Sequence, residues 1–326
     1  MSKFKVFVTR RIPDSGLKIL TETCDLDIFE GEAPISRDVL LKRIKGKDGL
    51  LCLLSDKIDK EVVAAGGRSL KVISNYAVGY NNIDVEETTK SGVLVTNTPG
   101  VLTDATADLT WALLLACARR IPKSDSLVRD GRFVGWSPTL LLGREVYGKT
   151  LGIIGMGEIG AAVARRAKGF GMKTIYHNRK RDPEAEKELG AMYVSVDDLL
   201  RNSDYVSLHV PLTPETRHLI GEKEFAMMKP TAILLNASRG EVIDEKALIK
   251  ALKEGRIDSA GLDVYEKEPR LSPGLAELDN VVLTPHTGSA TYESRDRMAV
   301  MAAGNLVAGL RGERPPNLVN ASVWKD

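Results

Sequence analysis

Six consecutive residues, Gly-Met-Gly-Glu-Ile-Gly, limit the possible folds of this chain more than any other segment. They follow a strand-like run at 151–154 and open a helix-like stretch at 161–168, and a second strand-like run begins at 174. In such a context the first glycine permits a tight turn, the second lets the backbone approach a pyrophosphate, and the third allows close helix–strand packing. The segment predicts a dinucleotide-binding βαβ unit, with a purely structural glycine-rich turn as the alternative. Its candidate cofactor contacts are Gly155, Met156, Gly157, Glu158, Ile159 and Gly160.

Short apolar, β-branched runs alternate with helix-like stretches on both sides of this segment. Such alternation indicates parallel sheets covered by helices on both faces. The first series of strand-like runs covers residues 6–9, 26–29, 50–54, 72–75 and 93–96. The second series covers residues 151–154, 174–177, 205–209, 232–237, 260–264 and 281–284. An Ala- and Leu-rich helix at 105–118 is expected to cross between two domains, and a helix-like stretch at 290–310 to return to the first.

The overall composition excludes several classes of protein. A chain of 326 residues is long enough for two domains of about 150 residues each. Its 46 Lys and Arg against 44 Asp and Glu are too balanced for a nucleic-acid-binding surface, and no apolar run approaches the roughly 18 residues of a membrane span. The three cysteines form no CxxC pair, so we expect neither disulfides nor a metal site. With no export signal expected at the start of the chain, the prediction is a cytoplasmic protein.

The end of the second strand in the βαβ unit bears on which dinucleotide is bound. A carboxylate at this position would hold the ribose 2′-hydroxyl of NAD, but the strand ends in His177 and Asn178. Three cations follow it directly: Arg179, Lys180 and Arg181. Because cations can pair with a 2′-phosphate, the sequence predicts that NADP(H) is preferred and that NAD(H) is possible. A loop of solvated charges is the alternative.

Polar side chains follow three later strands, at the sheet edge where open α/β sheets bind their ligands. Arg239 has a planar fork of donors that suits a carboxylate, and Glu268 follows the next strand. His286 follows the last strand and is a candidate catalytic acid. Singly, each has a plainer interpretation, as a surface ion pair, a solvated loop charge and a structural hydrogen-bonding group. His209, which ends another strand, is a second candidate acid.

Together these segments resemble those of the D-isomer-specific 2-hydroxyacid dehydrogenases, and within them the glyoxylate/hydroxypyruvate reductases. The resemblance covers nearly the whole chain. Its motifs lie at residues 75–84, in the glycine-rich segment, and at 209–213, 236–244, 263–269 and 285–288. One departure is Asn178, which stands where NAD-using members carry Asp and puts a preference for NAD in doubt.

The resemblance implies roles for single residues in catalysis and cofactor binding. It implies that Arg239, Glu268 and His286 form the catalytic set, and that His209 precedes cofactor-contacting backbone and is not a catalyst. Arg239 and His286 would touch the cofactor as well. The other implied cofactor contacts are Thr103, Val210, Pro211, Thr216, Ala237, Ser238, Asp263 and Gly288.

Substrate contacts are predicted on both sides of the glycine-rich segment. The resemblance implies that the backbone N–H groups of Val78 and Gly79 bind the substrate carboxylate together with Arg239. Leu53 and Trp136 are apolar candidates for lining a small pocket, and the family suggests that Trp136 reaches it from a second subunit. Ordinary interface packing is the alternative for Trp136. The apolar helix at 105–118 and the segment around Trp136 predict a homodimer, because a monomer would leave too much hydrophobic surface exposed.

We therefore predict two doubly wound α/β domains with parallel sheets. A Rossmann domain, residues 100–288, is inserted into a discontinuous flavodoxin-like substrate domain, residues 1–99 and 289–326. The predicted reaction is reduction of a small 2-oxo acid, glyoxylate or hydroxypyruvate, by hydride transfer. His286 would donate the proton, and its pKa should be raised by Glu268 on the other ring nitrogen.

Two alternatives remain at this point. The first is another D-2-hydroxyacid dehydrogenase, of the D-lactate or 3-phosphoglycerate type. The second is a non-enzymatic NAD(H)-sensing protein, since transcriptional corepressors share this fold.

Overall fold

The structure, a computed structural model, describes residues 3–325. It divides into two compact units. The first contains the residues up to Leu102 and those from Ala290 onward, and the second is Thr103–Ser289. These divisions lie close to the predicted domain boundaries at 99 and 288.

The first unit contains a five-stranded parallel sheet. Its strands are β1 (Phe4–Val8), β2 (Cys24–Ile28), β3 (Gly49–Cys52), β4 (Val72–Asn75) and β5 (Leu94–Thr96). They lie in the order β2-β1-β3-β4-β5, and each neighbouring pair is parallel. This is the flavodoxin-like strand order, so the predicted architecture is confirmed.

Four helices connect these strands. They are α1 (Asp14–Thr23), α2 (Arg37–Arg43), α3 (Lys60–Gly66) and α4 (Val85–Lys90). The side chains of Asp59 and Asp84 cap α3 and α4 by accepting backbone N–H groups of the first turn, donors that would otherwise lack a helical partner. Fully buried side chains such as Phe7, Leu50 and Ile73 form the core beneath the helices.

The second unit contains a seven-stranded parallel sheet. Its strands are β6 (Thr150–Ile154), β7 (Lys173–His177), β8 (Met192–Tyr193), β9 (Tyr205–Leu208), β10 (Ile233–Asn236), β11 (Ser259–Leu262) and β12 (Val281–Leu283). The order β12-β11-β10-β9-β6-β7-β8 is the Rossmann order with one added strand, as predicted. The order reverses between β6 and β9, which is where sheets of this type open a ligand-binding crevice. Strand β8 was not predicted, because two residues are too short to show a periodic pattern.

The helices of the second unit cover both faces of this sheet. They are α5 (Thr103–Ala118), α6 (Ile121–Arg129), α7 (Glu158–Ala167), α8 (Pro183–Leu189), α9 (Val196–Asn202), α10 (Glu222–Met227) and α11 (Glu245–Lys253). Helix α5 was predicted to cross between domains, but it lies entirely in this unit. There Trp111 donates from its indole N–H to the carbonyl of Val163 at 3.1 Å and stacks on Phe170. The apolar surface of α5 is therefore used to pack against α7 and the sheet.

The last long helix, α12 (Tyr292–Arg311), belongs to the first unit, as predicted. It packs against α1 and strands β3 to β5. The approach to α1 is so close that a Cβ on Gly16 would lie 2.6 Å from the carbonyl oxygen of Ala299. Short 3-10 helices cover Gly67–Ser69, Lys168–Phe170, Gly240–Val242 and Ala321–Val323. Over residues 3–325, no helix combines the length and apolar character needed to cross a membrane.

Candidate active site

Three neighbouring strands of the second unit carry the predicted catalytic residues beyond their carboxyl ends. Strands β10, β11 and β12 are parallel neighbours, so their carboxyl ends meet at one edge of the sheet. Arg239, Glu268 and His286 lie in the loops that follow them. The topology thus brings to one edge three side chains that are far apart in the sequence.

Glu268 and His286 form a direct pair. Oε2 of Glu268 lies 2.8 Å from Nδ1 of His286, while Oε1 accepts the backbone N–H of Tyr265 at 3.0 Å. Burial acts to raise the pKa of Glu268, but the hydrogen bonds with His286 and the Tyr265 N–H, together with the positive charges of His286 and Arg239, outweigh burial, and the net shift is downward. Glu268 is therefore held as a carboxylate on one ring nitrogen of His286, which leaves Nε2 as the ring atom for proton transfer.

The loop that carries His286 is held by Asp263, which is 1% exposed. One of its carboxylate oxygens accepts from the hydroxyl of Thr284 at 2.6 Å and the backbone N–H of Thr287 at 2.7 Å, and the other accepts from the N–H of Gly288 at 2.7 Å. His286 itself has φ of 54°, in the left-handed region, which a non-glycine residue adopts at a cost unless its surroundings fix it. Asp263 supplies that constraint.

Arg239 lies in a tight turn after β10. The side chain of Asn236 spans this turn, accepting from the N–H and hydroxyl of Ser238 and donating to the carbonyl of Arg239 at 2.9 Å. Burial lowers the pKa of Arg239, and the negative charges of Glu268 and Glu241 oppose that shift. Because an arginine side chain stays protonated in proteins, the guanidinium remains a cation, and the negative charge of Glu268 acts on it.

The glycine-rich turn between β6 and α7 has the shape that a pyrophosphate requires. Gly155 has φ of 101°, and a Cβ there would lie 2.6 Å from the carbonyl oxygen of His209. A Cβ on Gly160 would lie 2.2 Å from the oxygen of Gly155, whereas one on Gly157 would meet no atom within 4 Å. Gly157 caps α7, so the open space lies at a helix N-terminus, where anions are stabilised. The residues present therefore fit a dinucleotide.

Asn178, which directly follows β7, contacts this turn. Its Oδ1 accepts the backbone N–H of Met156 at 2.7 Å. Among the three cations that follow, Arg181 is bound to both carboxylate oxygens of Glu186, at 2.6 and 2.7 Å. Arg181 would have to leave Glu186 to reach a 2′-phosphate, whereas Arg179 and Lys180 are exposed and have no such partner among residues 3–325 to give up.

His209 has the environment of a structural histidine. Its Nε2 lies 2.8 Å from the hydroxyl of Ser207, and burial lowers its pKa to about 4. A ring that stays neutral near pH 7 is a poor proton donor. Downstream, Thr216 donates to the carbonyl of Pro211 at 2.6 Å, which braces the loop that begins with Val210.

Two more predicted cofactor contacts lie side by side at helix N-termini. Thr103 begins α5 and Glu158 begins α7. The Thr103 hydroxyl donates to Oε2 of Glu158 at 3.2 Å.

In the part of the chain that the structure describes, no three His, Cys, Asp or Glu side chains form a group able to hold a metal ion.

In the first unit, the loop after β4 presents two successive backbone N–H groups. Thr98 donates its N–H to the carbonyl of Ala77 at 2.9 Å, and the Asn97 side chain donates to the carbonyl of Val78 at 2.8 Å. Because a trans peptide points its C=O and N–H in opposite directions, these bonds turn the N–H groups of Val78 and Gly79 the other way. Neither donates to an acceptor among residues 3–325. Such a pair of adjacent donors suits an anion.

The loop after β3 is held by two polar side chains. The N–H of Leu53 donates to Asp56 at 2.8 Å, and its carbonyl accepts from the Asn82 side chain at 3.1 Å. The Asn75 side chain in turn donates to the carbonyl of Gly79 at 2.9 Å. Asn75 and Asn97 were not predicted as site residues, although each lies at the carboxyl end of a strand, where parallel sheets bind their ligands.

Trp136 lies in a segment of exposed apolar side chains in the second unit. Trp136 is 84% exposed and Val134 is 99% exposed. The other large apolar residues exposed between 120 and 148 are Ile121, Val128, Phe133, Leu140, Leu142 and Tyr147. An apolar surface of this extent indicates an interaction site.

Comparison with known proteins places the chain among dehydrogenases. Residues 111–288 match the family model described as D-isomer specific 2-hydroxyacid dehydrogenase, NAD binding domain. A glyoxylate reductase of Thermococcus litoralis is 56% identical over 325 residues, which is 98% of this chain and 98% of the relative. A solved structure from Thermus thermophilus has a TM-score of 0.91 at 46% identity and covers 97% of this chain and 99% of its own.

A second solved structure is similar over the full length. It is an NADPH-dependent glyoxylate/hydroxypyruvate reductase from Sinorhizobium meliloti in complex with NADP and malonate. Its TM-score is 0.88 at 30% identity, covering 100% of this chain and 99% of its own.

Proposed function

Because this chain belongs to the D-isomer-specific 2-hydroxyacid dehydrogenase family, we propose that it reduces glyoxylate or hydroxypyruvate with a reduced nicotinamide cofactor. The 2.8 Å contact between Glu268 and Nδ1 of His286 carries this proposal. This pair places a proton donor at one edge of the Rossmann sheet. The negative charge of its Glu268 also acts on Arg239. The glyoxylate reductase of Thermococcus litoralis, at 56% identity, supports the choice of substrate.

The residues of this chain bind the oxo acid and move one proton. The nicotinamide, when bound, supplies the hydride that the carbonyl carbon accepts. Arg239 orients the substrate, since its guanidinium can bind a carboxylate in two places and polarise the adjacent carbonyl. His286 donates its Nε2 proton to the carbonyl oxygen as negative charge develops there, and Glu268 stabilises the imidazolium from the other nitrogen. Asp263 keeps the ring in place by holding its loop.

We assign the substrate carboxylate to the N–H groups of Val78 and Gly79 as well. Both donors are turned to one side by the bonds that hold the carbonyls of Ala77 and Val78. Leu53, fixed by Asp56 in the loop after the neighbouring strand, is proposed to limit the size of the substrate side chain.

We propose that NADPH is preferred over NADH. Asn178 lacks the negative charge that would repel a 2′-phosphate, and the exposed Arg179 offers a fork of donors that matches phosphate oxygens. Lys180 is a second, less directional donor. The NADPH-dependent relative from Sinorhizobium meliloti supports this order of preference.

We also propose a homodimer that forms through the exposed apolar segment around Trp136. The area of contact would cover side chains such as Val134, which otherwise remain in water. In that assembly Trp136 is proposed to reach the substrate pocket of the second copy. The three cysteines, all buried and unpaired, fit the reducing cytoplasm that we propose as the compartment.

A steady-state assay tests the function directly. The purified protein is mixed with NADPH and glyoxylate, hydroxypyruvate, pyruvate or 3-phosphohydroxypyruvate, and the loss of reduced cofactor is followed by absorbance. We expect the highest kcat/KM for glyoxylate or hydroxypyruvate. Cofactor binding without turnover of any of these acids would refute the enzymatic proposal and favour a sensor of NAD(P)(H).

A further inference from the structure

Glu245 is a buried carboxylate with only one oxygen in use. It is the first residue of α11 and is 2% exposed. Its Oε1 accepts the backbone N–H of Glu266 at 2.7 Å. Its Oε2 is buried and has no hydrogen-bond partner among residues 3–325. Burying a carboxylate in this way is unfavourable for folding, and capping of the helix does not explain it, because Asp244 supplies the cap.

The peptide that Glu245 binds is also contacted from the turn that carries Arg239. Gly240 directly follows Arg239, and a Cβ on Gly240 would lie 1.9 Å from the carbonyl carbon of Tyr265 and 2.0 Å from its oxygen. The Tyr265–Glu266 peptide is therefore pressed against Gly240 and held by Glu245. A shift of this peptide would alter the spacing between Arg239 and the loop of Glu268.

The same loop connects Glu245 to the catalytic pair. The N–H of Tyr265, one residue before the bound donor, donates to Oε1 of Glu268 at 3.0 Å. The other oxygen of Glu268 meets Nδ1 of His286 at 2.8 Å. Burial and nearby carboxylates raise the pKa of Tyr265 to about 12, so its hydroxyl stays protonated and donates to the carbonyl of Thr284 at 2.9 Å. Two successive peptides thus link a buried carboxylate to the orientation of the proton donor.

We propose that Glu245 is a positioning residue for the reduction: by fixing the Tyr265–Glu266 peptide, it holds Glu268 against His286 at a set distance from Arg239. The inference rests on the proposed function. The side chain of Glu266 is not part of this link, since it binds His218 at 3.1 Å on the outside of the loop.

Four variants separate this role from a contribution to stability alone. Glu245→Ala removes the acceptor, and Glu245→Gln keeps an acceptor oxygen at the same position. Asp244→Ala removes the neighbouring N-cap, whose side chain accepts the N–H groups of Lys246 and Ala247, and so weakens the same helix without touching the loop. Glu266→Ala removes the outer side chain but keeps the backbone donor.

We expect Glu245→Ala to lower kcat by about tenfold or more, because small displacements of catalytic groups are costly to rate, with the Kd for NADPH unchanged. Glu245→Gln should restore kcat to within about threefold of the wild type, because the hydrogen bond that it retains is neutral instead of charge-assisted. Asp244→Ala and Glu266→Ala should leave kcat within about twofold, as expected for sites that do not touch the reacting groups. Loss of activity in Asp244→Ala equal to that in Glu245→Ala would overturn the proposal.

A double-mutant cycle provides the decisive measurement. If Glu245 acts through Glu268, adding Glu245→Ala to Glu268→Ala should lower kcat by no more than about twofold further. If the fold-losses of kcat in the two single variants multiply in the double variant, Glu245 acts independently of Glu268, and the inference is refuted. Should Glu245→Ala fail to fold, Glu245→Asp, which withdraws the acceptor by one methylene, replaces it in the cycle. The wild type is assayed in the same series, so its failure to reduce any oxo acid would refute the proposed function instead of this inference.

Discussion

Asn178 accepts a 2.7 Å hydrogen bond from the backbone N–H of Met156, in the middle of the glycine-rich turn. A neutral amide therefore supports the turn at the position where an aspartate would place a negative charge. The electrostatic barrier to a 2′-phosphate is absent there, while the hydrogen bond that shapes the turn is kept. The same side chain thus supports the turn and leaves this position without a negative charge.

The first prediction concerns this cofactor preference. The double substitution Asn178→Asp with Arg179→Ala should lower the ratio of kcat/KM for NADPH to that for NADH by at least about tenfold, which requires only about 1.4 kcal/mol. Aspartate can still accept the Met156 N–H, so the turn should persist. Arg181→Ala is the matched control and should leave the ratio unchanged, because Glu186 already binds Arg181. A wild-type enzyme that favours NADH would contradict the prediction.

The second prediction concerns the proton donor. His286→Ala should lower kcat by about 10²–10⁴-fold, the range typical of general acid catalysis, while the Kd for NADPH measured by fluorescence stays near the wild-type value. The substituted loop retains its contacts with Asp263, which involve Thr284, Thr287 and Gly288. A variant with activity within a few-fold of the wild type would remove His286 from the catalytic set.

The third prediction concerns acid stability. Because the net shift lowers the pKa of Glu268 in the folded state below its ordinary 4.5, its pairing stabilises the fold above that value and is lost as pH falls through the lowered pKa. Glu268→Gln should therefore reduce stability near neutral pH. The free energy of unfolding should also fall less steeply with decreasing pH in this variant than in the wild type. Urea midpoints measured from pH 7 down to strongly acidic conditions test this. Parallel curves for both proteins would mean that the pairing contributes no pH-dependent stability.

The sequence predicted the strand ends much better than the contacts within the loops. Arg239, Glu268 and His286 could be placed at one sheet edge because each follows an apolar strand and the parallel topology brings strand ends together. Their role as a catalytic set was implied by the family resemblance. The role of Asp263 in holding the His286 loop was not predicted, because it depends on backbone N–H groups whose directions are set only when the loop folds. The pairing of Arg181 with Glu186 was not predicted for a similar reason: Glu186 comes within reach only through the helix that starts at Pro183.

The fourth prediction concerns the substrate carboxylate. Asn97→Asp keeps the size of the side chain but removes the donor that binds the carbonyl of Val78. The N–H of Gly79 then loses its fixed direction, and KM for glyoxylate should rise by about tenfold, with the Kd for NADPH unchanged. A change of this size corresponds to the loss of about one hydrogen bond to a charged group. An unchanged KM would show that this peptide does not bind the substrate.

The last prediction concerns assembly. Sedimentation at micromolar concentration should give twice the chain mass of 35.5 kDa, because a segment with Val134 99% and Trp136 84% exposed is unfavourable in water unless covered. Val134→Asp should weaken the dimer, since it would bury an unpaired charge at the contact. Trp136→Ala distinguishes two roles for the tryptophan. If the ring reaches the substrate pocket of the second copy, KM for the oxo acid rises while the mass stays dimeric at high protein concentration. If it only packs at the interface, the dimer dissociates more readily and KM measured on the remaining dimer is unchanged. A monomeric wild type would rule out both roles.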